Sequence, residues 1–395
     1  MRQSSRTRLA RTAGIIEVRL SKRPRHSLDV KFARTSGFNS GIAKACRKAL
    51  ELGRNGSKPP MITVAVDAMG GDNAPRPEVE GSVLAARELD VRVMLVGQPQ
   101  AIKAELAKHD RSGLKIEIVP ASEVITMNDH PAQAFRRKKD SSVHVSARLV
   151  REAKADGLVS AGNTGAVMTV VRFLLGTLES VDRVALAAPF PNAKGGVSVL
   201  LDVGANVDSK PEHLVQFAVM GEMYYRATFG NRKPRVGLLS IGEEESKGNE
   251  LTREVNERLK KAHMHYIGNV EGGDLFSGAV DVIVCDGFVG NIALKICEGL
   301  AVSIFGLLKK SLKTSLLSQF GALLSQGAFK GLKKTIDYTE YGGAPLLGVR
   351  GVCVIGHGRS NANAIKNAIR VAAGLARANM NEKIEQELSL VTERT

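Results

Sequence analysis

The sequence predicts an α/β fold of three layers, a mostly parallel sheet with helices on both faces. Three observations predict it. Short, apolar, β-branched runs recur from Met61 onward, helical stretches separate most of them, and the runs end in Gly, Asn, Asp or Ser. Strands that alternate with helices pair in parallel, and parallel strands covered on both faces are almost wholly apolar.

The elements follow in order. A strand over Ile62–Asp67 ends in Ala-Met-Gly-Gly-Asp and leads into a helix from about Pro77 to Leu89. Val91–Gly97 is the next buried run, then a helix through Lys108, then a strand over Lys115–Val119. Further strands are expected at Gly157–Ser160, Val197–Val203, Arg235–Ile241, Asp281–Asp286 and Val352–Ile355. Helices are expected at Val143–Lys154, Thr164–Leu178, Glu212–Phe229, Glu250–Ala262, from Ile292 into the 320s, and at Asn361–Asn379. No internal repeat is evident.

Composition sets the class. The chain has 395 residues, 43% apolar and 24% charged, which supports a sizeable packed core. Nowhere do about 18 uncharged apolar residues run together, so no membrane-spanning segment is expected. Cys46, Cys285, Cys297 and Cys353 stand singly, which excludes a disulfide scaffold and a paired-cysteine zinc site and fits a reducing compartment. The net charge is +16, but residues 1–60 hold 15 Lys and Arg against three acids, and the rest of the chain holds 41 against 37. The body is therefore nearly neutral. With no Trp and 17 Phe and Tyr, it is not expected to bind nucleic acid.

Residues 1–60 form a basic extension, expected to be disordered, that ends in the linker Asn55-Gly-Ser-Lys-Pro-Pro60. Three readings stand beside one another: an extension upstream of a start at Met61, a transit peptide, or a nucleic-acid arm. No 7–15-residue apolar stretch follows the basic start, so a secretory signal is not expected. Residues 61–395 form the α/β domain.

Six strand-end loops carry both Gly and Asn, Asp or Ser: 67–72, 160–165, 202–206, 241–249, 286–291 and 356–361. Ligands of open α/β sheets bind outside the carboxyl ends of the strands, so six such loops on one edge predict a single active-site cleft; each loop alone reads as an ordinary turn. Missing motifs narrow the chemistry. There is no Gly-x-x-x-x-Gly-Lys-[Ser/Thr] loop, no Gly-x-Ser-x-Gly elbow, no complete Gly-x-Gly-x-x-Gly fingerprint and no His cluster of metal-ligand spacing. What remains is Lys, Asn, Asp, Ser/Thr and backbone amides, a set able to bind an anion and stabilise an oxyanion without a covalent step.

At these loops the sequence resembles the acyl-acyl carrier protein:phosphate acyltransferases of bacterial phospholipid synthesis. The matching stretches are Val64-Ala-Val-Asp-Ala-Met-Gly-Gly-Asp-Asn-Ala-Pro75, Ser160-Ala-Gly-Asn-Thr-Gly-Ala166, Leu201-Asp-Val-Gly-Ala-Asn-Val-Asp208, Lys210-Pro-Glu-His-Leu-Val215, Lys247-Gly-Asn-Glu-Leu-Thr252, Asp286-Gly-Phe-Val-Gly-Asn291 and Tyr341-Gly-Gly-Ala344. The resemblance runs from Met61 to about Asn379. It implies a fold similar to phosphotransacetylases and the isocitrate dehydrogenase group, and attack of inorganic phosphate on the thioester of a long-chain acyl group carried by acyl carrier protein. It also implies no metal and no cofactor, a homodimer, peripheral attachment to the cytoplasmic face of an anionic membrane, and a downstream glycerol-3-phosphate acyltransferase as consumer of the product. By the same resemblance, Lys247 and Asn291 are catalytic, and Gly162, Asn163, Thr164 and Gly165 look like a phosphate cradle. Asp202, Asn206, Asp286 and His357 are positioning candidates; for Asp202 and Asp286, helix capping is the competing role.

Two charged features have two readings each. Arg136-Arg-Lys-Lys139 is either a solvated face or a docking patch for the acidic carrier protein. Between Glu298 and Asp337 there is no acid, while Lys309, Lys310, Lys313, Lys330, Lys333 and Lys334 interleave with apolar residues. Leu312, Leu316, Leu317, Phe320, Leu323 and Leu324 follow the spacing of one helical face. A protruding helical tip at about 309–334 is therefore expected, with Leu316, Leu317, Phe320, Leu323 and Leu324 on a membrane; a core or dimer-interface stripe is the other reading. Among whole-chain functions, a soluble phosphotransacetylase acting on short acyl-CoA competes with the acyltransferase. A nucleic-acid binder and a metal-dependent dehydrogenase fit less well.

Overall fold

The computed structural model describes residues 61–327, 329, 331 and 338–392. The basic extension 1–60 and Lys330, Lys333 and Lys334 lie outside the described residues. The strands are β1 (Ile62–Asp67), β2 (Val91–Gly97), β3 (Ile116–Pro120), β4 (Gly157–Ser160), β5 (Ala185–Pro191), β6 (Val197–Leu201), β7 (Val236–Leu239), β8 (Tyr266–Val270), β9 (Val282–Val284), β10 (Ala344–Leu347) and β11 (Val352–Ile355). They form one sheet in the order β3-β2-β1-β4-β11-β10-β5-β6-β9-β7-β8. β3, β2, β1, β4 and β11 are parallel, as are β6, β9, β7 and β8. The seams β11–β10, β10–β5 and β5–β6 are antiparallel.

Three antiparallel seams reverse the sheet, so its two parallel halves run in opposite directions. The six glycine-containing loops therefore do not leave one edge. Those after β1, β4 and β11 form one set, and those after β6, β9 and β7 form another. The expectation of a single edge failed because β5 and β10 were not anticipated. Their sequences, Ala-Leu-Ala-Ala-Pro-Phe-Pro and Ala-Pro-Leu-Leu, carry proline and alanine where strands favour β-branched residues.

Helices cover both faces. On one lie α1 (Arg76–Glu88), α6 (Pro211–Phe229), α7 (Glu250–Lys261), α11 (Ala362–Arg377) and α12 (Met380–Thr392). Val79, Phe217, Leu259, Ile369 and Ile384 pack there with Val64 and Val66 of β1. On the other lie α3 (Pro131–Arg137), α4 (Ser142–Arg151), α5 (Thr164–Leu175) and the single turn α8 (Asp274–Ser277). Ala134, Ala147, Val170 and Leu275 pack there with Ala65. Val64, Ala65 and Val66 thus alternate between two cores, as the period of two requires. Side chains such as Phe217 and Leu259 are fully buried, each contributing about 1.5–3 kcal/mol. α2 (Pro99–Leu106) bridges β2 and β3.

One helix departs from this plan. α9 (Gly287–Leu312) runs 26 residues, and its buried positions are Gly287 and Gly290. Its length and composition alone are those of a helix able to cross a membrane. Lys295 and Glu298 interrupt the run and pair with each other at 2.9 Å. Val289, Ile292, Ile296, Leu300, Ile304 and Leu307 are each more than 40% exposed and fall on one side of the helix. α10 (Leu316–Leu324) follows, capped by Ser315, with Leu317, Phe320, Leu323 and Leu324 exposed.

Candidate active site

The loops after β6, β9 and β7 meet around the first turn of α9. Asp202 is the centre. One oxygen, Oδ1, accepts from the amides of Leu186 (3.0 Å), Gly204 (3.1 Å) and Ala205 (2.9 Å). Oδ2 accepts from the Asn206 amide (2.8 Å) and from Asn206 Nδ2 (2.9 Å), which also donates to Val184 O (2.7 Å). Burial pushes the Asp202 pKa up, and these hydrogen bonds oppose that shift. A carboxylate has about four lone-pair sites, so the acceptor capacity of Asp202 is taken up inside the loop. Asp202 and Asn206 shape the site's frame.

Asp286 has the capping role. Its Oδ1 accepts from the amides of Phe288 and Val289, both at 3.0 Å, and starts α9. The first turn of α9 rests directly on the Asp202 loop. A Cβ on Gly290 would overlap Asp202 O, and one on Gly287 would sit 2.6 Å from Asp202 Oδ2, so only glycine permits this approach. Asn291 follows, exposed, with its Cβ 3.3 Å from the Cβ position of Gly204. Lys247 stands exposed on the neighbouring loop, where its amide donates to Glu244 O at 3.0 Å. Asn249 then caps α7, its Oδ1 accepting from the Thr252 amide at 2.9 Å.

A cavity of about 360 Å³ opens between these loops, lined by Leu214, Leu239, Ser240, Ile241, Gly248, Asn249, Thr252, Cys285, Asp286 and Val289. Lys247 is next in chain to Gly248 at its wall. Asn291 lies two residues beyond Val289, so it points to the other side of the helix, toward Gly204. The structure thus gathers Asp202, Asn206, Lys247, Asp286 and Asn291 into one set of loops.

Gly162, Asn163, Thr164, Gly165 and His357 belong to the other set. Asn163 caps α5, its Oδ1 accepting from the Ala166 amide at 3.1 Å. Its Nδ2 donates to Met127 O (3.0 Å) and Asp129 O (3.1 Å), so the side chain holds a neighbouring loop in place. Thr164 is exposed at the helix start, where amides favour an anion. The Gly162 amide donates to Ser160 Oγ at 3.1 Å, and exposed His357 accepts from the Arg359 amide at 3.1 Å. The Asp72 amide donates to Gly358 O at 2.8 Å and ties the first and last loops of the set together.

Two buried acids lie beneath this set. Asp67 Oδ2 accepts from Ser160 Oγ at 2.7 Å; burial raises its pKa, and the hydroxyls of Ser142 and Ser160 and the Met69 amide oppose the shift. Glu78 is 1% exposed, and burial pushes its pKa up to about 7, with the Asp67 charge adding to the rise. The Glu78 Oε2 has no hydrogen-bond partner. The sequence signal for Glu78 was weak, because an acid in a first helical turn is an ordinary solvated position.

The basic run divides. Arg136 and Arg137 are exposed at the end of α3, which lies against the start of α5 through Pro131 and Gly165. Lys139 is exposed over the Phe135 ring, 4.1 Å from its centroid. Lys138 instead donates to Val124 O at 2.8 Å and Asp129 Oδ2 at 2.6 Å, so its charge is engaged within the fold. The apolar residues at the α9 root, Leu239, Val289 and Ile296, were missed as site residues. Their signal was the continuous spacing of Val289, Ile292, Ile296 and Leu300.

A family model described as "Fatty acid synthesis protein" matches residues 62–383. A phosphate acyltransferase of Geobacter sp. (strain M21) is 56% identical over 328 residues, 83% of this chain and 93% of its own length. One of Koribacter versatilis is 57% identical over 339 residues, 84% and 94% of the two chains. Among solved structures, a phosphotransacetylase from Streptococcus pyogenes superposes with a TM-score of 0.55 at 17% identity, over 84% of this chain and 98% of that one. EutD phosphotransacetylase from Staphylococcus aureus gives 0.52 at 15% identity over the same shares. These structural likenesses concern the fold alone. The sequence relationship, at more than half identity across the whole α/β domain, goes further: the chain belongs to the phosphate acyltransferase family and is an acyltransferase.

Proposed function

We propose that this chain transfers a long-chain fatty acyl group from acyl carrier protein to inorganic phosphate, supplying acyl phosphate for phospholipid synthesis. In this reading it works as a homodimer on the cytoplasmic face of an anionic membrane. Acyl transfer to phosphate is the activity of the family; the carrier, the chain length and the membrane belong to the proposal. The observation that carries it is α9. The helix starts at the polar loops and leads away from them as an unbroken exposed apolar stripe from Val289 to Leu307. A reaction centre joined to such a surface suits a long acyl chain and a lipid boundary; an acetyl group needs neither.

The chemistry balances without a co-reactant. An oxygen of hydrogen phosphate attacks the thioester carbonyl carbon, and a tetrahedral oxyanion forms. The C–S bond then breaks, and the phosphate proton ends on the departing thiol. Lys247 is assigned to neutralise the phosphate or the developing oxyanion, as a compact point charge can. Asn291 is assigned to orient the carbonyl or phosphate with its amide, and the frame built on Asp202, Asn206 and Asp286 fixes the helix that presents it. The amides of Thr164 and Gly165 are assigned to an anion, and Arg136 and Arg137 to the acidic carrier.

Phosphate-dependent formation of acyl phosphate, trapped as the hydroxamate, tests the proposal with palmitoyl-acyl carrier protein and acetyl-CoA as rival donors. The expected result is turnover of the first at least about 10²-fold faster, the scale of a few lost buried methylenes. Preference for acetyl-CoA would establish the short-chain phosphotransacetylase instead.

A further inference from the structure

The cavity at the polar loops shares one wall residue with a second space that has no charged lining at all. Beyond Leu239, which lines both, lies a groove of about 240 Å³. Leu200 floors it from the sheet, Leu275 and Phe276 wall it from α8, and Ile296 and Cys297 wall it from α9. No charged side chain faces it among its lining residues. Ile296 is 62% exposed and Phe276 42% exposed, so the groove is open along α9 rather than sealed in the core.

We propose that this groove is the acyl-chain subsite, holding the distal methylenes of the donor while the thioester stays at the polar loops. The inference rests on the long-chain reading given above. Its geometric basis is continuity. Val289 lines the cavity at the loops, and Ala293 and Ile296, four and seven residues on, line the groove. These positions share one helical face, so α9 presents a single apolar rail from one space to the other. A chain with its carbonyl at the loops crosses Leu239 and continues beneath the second turn of α9. Acetyl and other short groups end before Leu239 and gain nothing from the groove. Each further methylene buried there contributes about fourfold to binding, so Leu275, Phe276 and Ala293 set chain-length preference.

Two experiments test this, one on variants and one on the unaltered chain. Ala293→Phe and Leu275→Trp each fill the groove, from opposite walls. The ratio of kcat/KM for palmitoyl- to octanoyl-acyl carrier protein is expected to fall roughly 10²-fold in each, equivalent to three or four displaced methylenes. Cys297 is a free, half-buried thiol in the groove wall. With phosphate omitted, palmitoyl-acyl carrier protein is expected to slow N-ethylmaleimide labelling of Cys297 at least about fivefold, the value of one or two buried methylenes, read peptide by peptide by mass spectrometry. Octanoyl-acyl carrier protein is expected to slow it far less. Equal protection by both donors, or an unchanged palmitoyl-to-octanoyl ratio in a folded variant, would overturn the subsite while wild-type turnover of palmitoyl donor still upheld the activity. Wild-type failure to use either carrier-bound donor would overturn the long-chain reading, and the subsite with it.

Discussion

Replacing Asp202 separates a frame from a catalyst. Its two oxygens receive five hydrogen bonds, from the amides of Leu186, Gly204, Ala205 and Asn206 and from the Asn206 side chain. Asp202→Ala strands these donors in a site where the aspartate itself is 0% exposed. A buried donor left without its partner costs about 1–3 kcal/mol. Even with strong non-additivity, a loss of about 4–6 kcal/mol is expected, against a typical total of about 5–15 kcal/mol. Asp202→Asn is the finer test. It can keep the three bonds at Oδ1 but sets an NH2 group against two donors at the other position. Burial raises the Asp202 pKa, so the neutral amide recovers part of the penalty on the charged form. The net cost expected for Asn is about 2–4 kcal/mol. Urea unfolding followed by far-UV circular dichroism measures it, since the chain has no Trp and only 5 Tyr. An Asn variant within about 1 kcal/mol of wild type that nevertheless loses 10²-fold in turnover would refute the framing role and show that these oxygens meet the substrate.

Three further outcomes are expected. Lys247→Ala and Asn291→Ala each lower turnover roughly 10²–10³-fold with an unchanged unfolding midpoint; wild-type turnover at saturating phosphate would remove that residue from the mechanism. Glu78 binds its proton more tightly folded, at about 7, than unfolded, where a glutamate has its ordinary value of about 4.5. Its contribution to stability is therefore fully present below about 4.5 and lost as pH rises through about 7, by about 3 kcal/mol in all; Glu78→Gln flattens that part of the stability–pH curve, and an unaltered slope counts against the shift. Phe320→Glu with Leu323→Glu abolishes sedimentation with anionic liposomes and spares turnover of soluble donor, whereas loss of a dimer by light scattering assigns the tip to an interface between copies.

Legibility followed side-chain chemistry. β1, β2, β4, β6, β7, β9 and β11 were readable because β-branched residues fill strands buried on both faces. β5 and β10 were not, since Pro189, Pro191 and Pro345 argue against strands on local grounds, and tertiary pairing overrode them. That one omission hid the reversal of the sheet and made six loops look like one edge. At the site, residue types were readable and partners were not. Asp286 and Asn163 sit before helices, as caps do, but nothing local showed that Asn163 also grips residues 127 and 129. Nor did the run Arg136–Lys139 reveal which lysine turns inward; that depends on Asp129, brought near by the fold. The apolar stripe of α9 escaped notice because Lys295 and Glu298 break it in sequence while leaving one face continuous in three dimensions.

The sheet order also sets the timing of assembly during synthesis. β4 pairs with β1 on one side and β11 on the other. About 190 residues separate Ser160 from Val352. At roughly 5–20 residues per second, the ribosome needs about 10–40 s to deliver β11 after β4. The half from β5 to β9 is contiguous in the chain and can close within that interval. The amino-terminal half waits, with an apolar strand edge open and without α11, whose Ile365, Ala368 and Ile369 cover the β1 side chains Val64 and Val66. An open strand edge invites pairing with other chains. The half that emerges first from the ribosome is thus the last to be completed, and its protection in the cell falls to whatever shields nascent chains.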